Sequence, residues 1–102
     1  MEAVYFNERE TSAIEHVVKA ERYENVAKKM FVSRATVART MEQVYEKLTP
    51  FVDMNERNPR AILVALFYQL RDMPNGNDCI GVVFTRPMGF YEVKFWEVEC
   101  ET

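Results

Sequence analysis

Apolar positions recur at helical spacing through the first two thirds of the chain and at strand spacing through the last third. In "FNERETSAIEHVVKA", Ala13, Ile14, Val17 and Val18 share one helical face. Ahead of them Asn7 is a good N-cap, and Glu10 stands three residues on, the spacing of a capping box. His16 projects to the flank of the stripe and reads as a boundary residue. "ERYENVAKKM" predicts a second, short helix with Val26, Ala27 and Met30 inward and Lys28 and Lys29 outward. "FVS" interrupts it, with Phe31 and Val32 as apolar plugs and Ser33 as the next N-cap. A third helix over 34–48 carries Val37, Met41, Val44, Tyr45 and Leu48 as its buried stripe.

"TPFVDMNERN" reads as a linker, after which Asn58 and Pro59 restart a helix as N-cap and first-turn proline. The segment that follows, "PRAILVALFYQLRD", is apolar nearly all round. Such a helix is central to the fold, pressed against a second subunit, or both. "MPNGND" ends it, and "CIGVVFT" and "FYEVKFWEVE" predict two strands joined by the turn "RPMG". In the second strand Tyr91, Val93 and Phe95 share one parity while Trp96 and Val98 take the other. That slip implies either a bulge near Phe95–Trp96 or a strand buried on both faces. The predicted fold class is mainly α with a C-terminal β-hairpin. It is a helix-turn-helix bundle of about four helices followed by two antiparallel strands, in one domain over 1–102. Within it, 6–48 is the core, 58–72 a packing or dimer helix, and 79–99 the hairpin.

An apolar content of 48% in 102 residues suits one compact domain and argues against disorder. No apolar run approaches the roughly 20 residues of a membrane helix. The opening "MEAVYFNERE" lacks the basic start and apolar stretch of a signal peptide, so the expected location is cytoplasmic. Two cysteines, Cys79 and Cys100, have no histidine nearby, which argues for reduced thiols over a zinc site or a disulfide; no metal or cofactor is expected. A single histidine, no glycine-rich phosphate loop and no nucleophile–base pairing argue against an enzyme. The net charge is −3, yet residues 21–48 sum to +2 while 73–102 sum to −3. Nucleic-acid affinity follows local charge, so only 21–48 is a candidate for it.

Residues 6–48 resemble the LuxR-type (GerE-like) helix-turn-helix of bacterial transcription regulators. "FNERE" keeps the arginine and glutamate of that family's opening signature, as Arg9 and Glu10. "VAKKMFVSRATV", residues 26–37, follows its middle pattern, and Lys47 and Leu48 its closing pair. Sigma-factor region 4 shares much of this motif. Departures fall at Ala20, where the family has a glycine, at Ala38, where a lysine is common, and at Glu42, another basic position. The loop after residue 48 is also longer, and the hairpin lies outside the family's core pattern.

The resemblance implies a double-stranded DNA-binding transcription regulator whose helix 34–48 enters the major groove. A recognition helix reads base edges with its N-terminal part, which selects Ala35, Thr36, Arg39 and Gln43. Arg39 suits guanine, Gln43 adenine, and Ala35 or Thr36 a thymine methyl. Lys28, Lys29, Ser33 and Arg34 are placed for phosphates. Glu42 and Glu46 oppose that charge. The apolar helix, through Leu63, Leu66, Phe67 and Leu70, is the expected homodimer or partner face, offsetting modest affinity. The alternative is an interaction module, a polymerase or sigma-like accessory factor that uses the helix-turn-helix as scaffold and the acidic hairpin to bind a protein through exposed strand edges.

Overall fold

A computed structural model describes residues 2–55, 58–68 and 80–97. The chain opens with a strand, β1 (Glu2–Phe6), followed by four helices: α1 (Glu8–Val17), α2 (Tyr23–Met30), α3 (Arg34–Leu48) and α4 (Pro59–Phe67). It closes with the hairpin β2 (Ile80–Thr85) and β3 (Tyr91–Glu97). The three strands form one antiparallel sheet in the order β1-β3-β2. The fold is therefore mixed α/β. The expected hairpin is present, and "EAVYF" adds a third strand beyond the two expected. Cys79, Cys100, Val98 and Leu70 lie outside the described residues, as do the expected ends of the hairpin at 79 and 98–99.

β1 alternates: Val4 and Phe6 are buried, Ala3 and Tyr5 exposed. Val4 pairs across the sheet with Val93, which pairs in turn with Phe84, so one row of apolar side chains crosses all three strands. Tyr91, Val93 and Phe95 face the helices. The expected slip in β3 does not occur. Pairing runs one to one through Phe95 and Trp96, without a bulge, and Trp96 stays 37% exposed on the outer face. It lies across Gly81, where a Cβ would overlap its indole ring. The alternation simply continues, with a large aromatic at an outward position.

The predicted "linker" after α3 belongs to the core. Val52 and Met54 are buried, and the Phe51 ring stacks on Phe95 with centroids 4.4 Å apart. α4 restarts as predicted, with the Asn58 side chain accepting from Arg60 N and Pro59 in the first turn. Its Leu63 and Leu66 are 0% exposed, and Phe67 packs edge-on against Phe84 and Tyr91. Of the expected dimer or partner face, Leu63 and Leu66 therefore pack within the protomer, Phe67 is half-buried, and Leu70 lies outside the described residues. None of the described helices is long and apolar enough to cross a membrane.

A buried threonine joins the helices to the sheet. Thr11, 0% exposed, accepts from Tyr91 N at 2.9 Å and donates to Phe6 O at 3.4 Å. The hairpin turn lies over α1: Arg86 pairs with Glu15, and a Cβ on Gly89 would stand 3.8 Å from the Glu8 carboxylate.

Candidate nucleic-acid interface

The outer face of α3 is the candidate site. α3 starts where Ser33 Oγ accepts from Thr36 N at 3.1 Å, the predicted N-cap. Val37, Thr40, Met41, Val44 and Leu48 face inward and are buried. Thr40 satisfies its hydroxyl by donating to Thr36 O at 2.8 Å. The 3.6-residue period then leaves Ala35, Arg39, Glu42, Gln43 and Glu46 in solvent. Thr36 is half-buried, and its hydroxyl lies 2.9 Å from that of Ser33, so part of its hydrogen-bonding capacity goes to the cap.

Three of the four predicted base readers come together. Thr36, Arg39 and Gln43 line one side of an open groove of about 520 Å³. Asn7, Glu8, Arg9 and Glu10 line the other side, at the start of α1. Ala35 stands on the exposed face outside that lining. Arg9 is thus a site residue that base-reading logic missed, because the groove is made by packing α1 against α3 and not by α3 alone.

An ion pair ties that packing at its edge. Glu10 Oε1, on a side chain 2% exposed, accepts from Asn7 N at 3.0 Å and from Lys47 Nζ at 2.6 Å. The first bond and its reciprocal, Asn7 Oδ1 accepting from Glu10 N at 2.8 Å, complete the predicted capping box. Lys47 also donates to Tyr5 O at 3.1 Å, so one ammonium ties β1, α1 and α3.

The predicted phosphate contacts fare unequally. Lys28 and Arg34 are exposed and form no ion pair among the described residues. Lys29 is bound to Glu21, whose second oxygen lies 2.8 Å from His16 Nδ1. The Lys29 hydrogen bond, together with the charges of Lys29 and His16, holds the Glu21 carboxyl below the usual carboxylate range. Lys29 is therefore less available for phosphate than its exposure suggests. Arg34 borders a second hollow with Arg22, Tyr23, Glu24 and Arg60. Arg60 donates there to Val17 O at 3.2 Å and to Glu21 O, clamping the turn between α1 and α2.

That turn holds Ala20 in the left-handed region. Its φ is +64°, so the backbone keeps the conformation a glycine favours while an alanine occupies it. Phe31 is a second left-handed residue, with φ +58°. Its expected role as an apolar plug is corrected: the side chain is 94% exposed, and only Val32 packs against the core.

The acidic hairpin keeps one free edge, that of β2. β3, which carries Glu92 and Glu97, is the central strand, so its edges are already paired with β1 and β2. The free edges of the sheet are β1 and β2. No family model, curated protein or solved structure matches the chain.

Proposed function

We propose that this protein binds double-stranded DNA as a helix-turn-helix regulator, with α2, the turn Phe31–Ser33 and α3 as the motif and α3 in the major groove. One observation carries the reading. Arg39 and Gln43 stand exposed on the face of α3 opposite Val37, Met41 and Val44, beside the groove shared with Arg9. Arg39 has the fork geometry for guanine O6 and N7, and Gln43 the paired donor and acceptor for adenine N6 and N7. Lys28 and Arg34 flank the start of α3, where phosphates line the groove wall. The resemblance of residues 6–48 to the LuxR-type pattern supports the same assignment.

Affinity should be modest. Lys29 is paired with Glu21, and Glu42 and Glu46 share the exposed face of α3. The two phosphate contacts of Lys28 and Arg34 would cost roughly twelve-fold in affinity between 50 and 200 mM salt. Fluorescence anisotropy with labelled mixed genomic fragments, at low and moderate salt, tests the reading. Wild type should bind at low salt, and Arg39→Ala should abolish binding or flatten its preference among fragments. If both proteins are inert at low salt, the DNA reading fails and a protein-binding role for the scaffold takes its place.

A further inference from the structure

Phe31 combines two costs without an internal return. Its backbone is left-handed, φ +58° and ψ 41°, at the end of α2, a position where glycine is the favoured residue. Its ring is 94% exposed, the most exposed large apolar side chain described. The fold does not need the ring. Its backbone N–H is used, donating to Lys28 O at 3.4 Å, and Val32 N donates to Ala27 O at 3.0 Å, so the turn closes through the main chain. Glycine would make those bonds with less strain. A left-handed phenylalanine whose ring makes no contact within the fold marks a candidate for a contact outside the chain.

Its surroundings select the occupant. Phe31 stands two residues before the Ser33 N-cap of α3, between Lys28 and Arg34, both exposed and without ion pairs among the described residues. An apolar residue flanked in sequence by two cations, just before the helix proposed to read bases, suits the wall of a DNA major groove. Phosphates alternate there with apolar sugar carbons, and thymine methyls project from the adjoining base edges. We infer that Phe31 is an apolar DNA contact, packing on a thymine methyl and adjacent deoxyribose while Lys28 and Arg34 hold the flanking phosphates. The inference rests on the DNA-binding reading above and adds a residue that the hydrogen-bonding code does not select.

The test uses the full chain and the same labelled DNA. Phe31→Gly should weaken binding about tenfold, the factor for losing burial of roughly half a phenylalanine side chain. The slope of log affinity against log salt should not change, because no phosphate contact is lost. The Tm of Phe31→Gly should equal or exceed that of wild type. Phe31→Leu, which keeps apolar bulk, should retain most of the affinity. If wild type binds and Phe31→Gly binds equally well, this inference is overturned while the DNA reading stands. A lowered Tm in Phe31→Gly would place the ring in the fold and overturn it too. If wild type itself does not bind, both fall together.

Discussion

Replacing Lys47 by Met would test whether the α1–α3 packing depends on one buried carboxylate. Glu10 is 2% exposed and keeps two partners on Oε1, Asn7 N and Lys47 Nζ. Removing the ammonium leaves a nearly buried anion with a single backbone donor. Breaking a fully buried pair costs about 3–5 kcal/mol. Lys47 is 39% exposed, however, so water can reach part of the vacated position and the cost falls to about 2–3 kcal/mol. The methionine keeps the apolar stem near Phe6, whose ring centroid lies 5.5 Å from Nζ, so packing loss is small. For a domain of this size that loss lowers Tm by roughly 10–20 °C. Urea unfolding followed by far-UV circular dichroism should show a lower midpoint at an unchanged slope. Adding Glu10→Gln should recover stability to within about 1 kcal/mol of wild type, since a neutral amide still accepts from Asn7 N and needs no counter-charge. The reasoning is refuted if Lys47→Met costs under about 1 kcal/mol or if the double variant is no better than the single.

Ala20→Gly should stabilise the protein by about 0.5–1 kcal/mol, because it removes a left-handed alanine at an exposed turn; thermal unfolding would detect a rise of a few degrees, and a fall would contradict the φ of +64°. Gly81→Ala should push Trp96 off the sheet and cost about 1–3 kcal/mol. Trp96 is the only tryptophan, so a shift of its emission to longer wavelength reports the displacement directly. Glu21 titrates below its usual value near 4.5, chiefly through the Lys29 hydrogen bond. A carboxyl depressed in the folded state stabilises above that value, and the contribution disappears as pH falls through the lower folded pKa. The Tm of wild type should therefore drop below about pH 4.5 more steeply than that of Glu21→Gln, and parallel curves would remove the pair from the account.

The helical half of this fold was legible because each element carries its own local instructions. Asn7 with Glu10, Ser33, and Asn58 with Pro59 start three helices where the chain says they should. Val37, Met41, Val44 and Leu48 are buried as their period demands. What could not be read depends on partners distant in sequence. "EAVYF" is too short to declare itself a strand, and it becomes one through pairing with residues 91–95. Phe51, Val52 and Met54 looked like a linker because their apolar character has no period; what buries them is the rest of the fold, and Phe51 meets Phe95. α4 was ambiguous for a related reason. An all-round apolar helix says that it is covered and not by what, and here the fold buries Ile62, Leu63, Ala65 and Leu66 while Val64 and Phe67 stay half-buried.

The candidate site divides along the same line, and its charge changes most. Counted on paper, 21–48 offers the cations of a weak DNA binder. In three dimensions Lys47 answers Glu10, Lys29 answers Glu21, and the nearby Arg60 is held by two backbone carbonyls. Among the described residues, Arg22, Lys28, Arg34 and Arg39 remain without an ion pair, facing Glu24, Glu42 and Glu46 on the same two helices. So small a surplus gives little salt-dependent, sequence-independent attraction. If α3 holds DNA, a large share of the free energy must come from base edges and apolar contact, which puts the weight on Arg39, Gln43 and Phe31. Glu10, Ser33, Val37, Lys47 and Leu48 carry much of the LuxR-type resemblance, and they are the residues that cap, pair and pack. A relative that binds no DNA would need them equally. The resemblance therefore rests on residues that cap, pair and pack, and the exposed side chains must supply the testimony about what they touch.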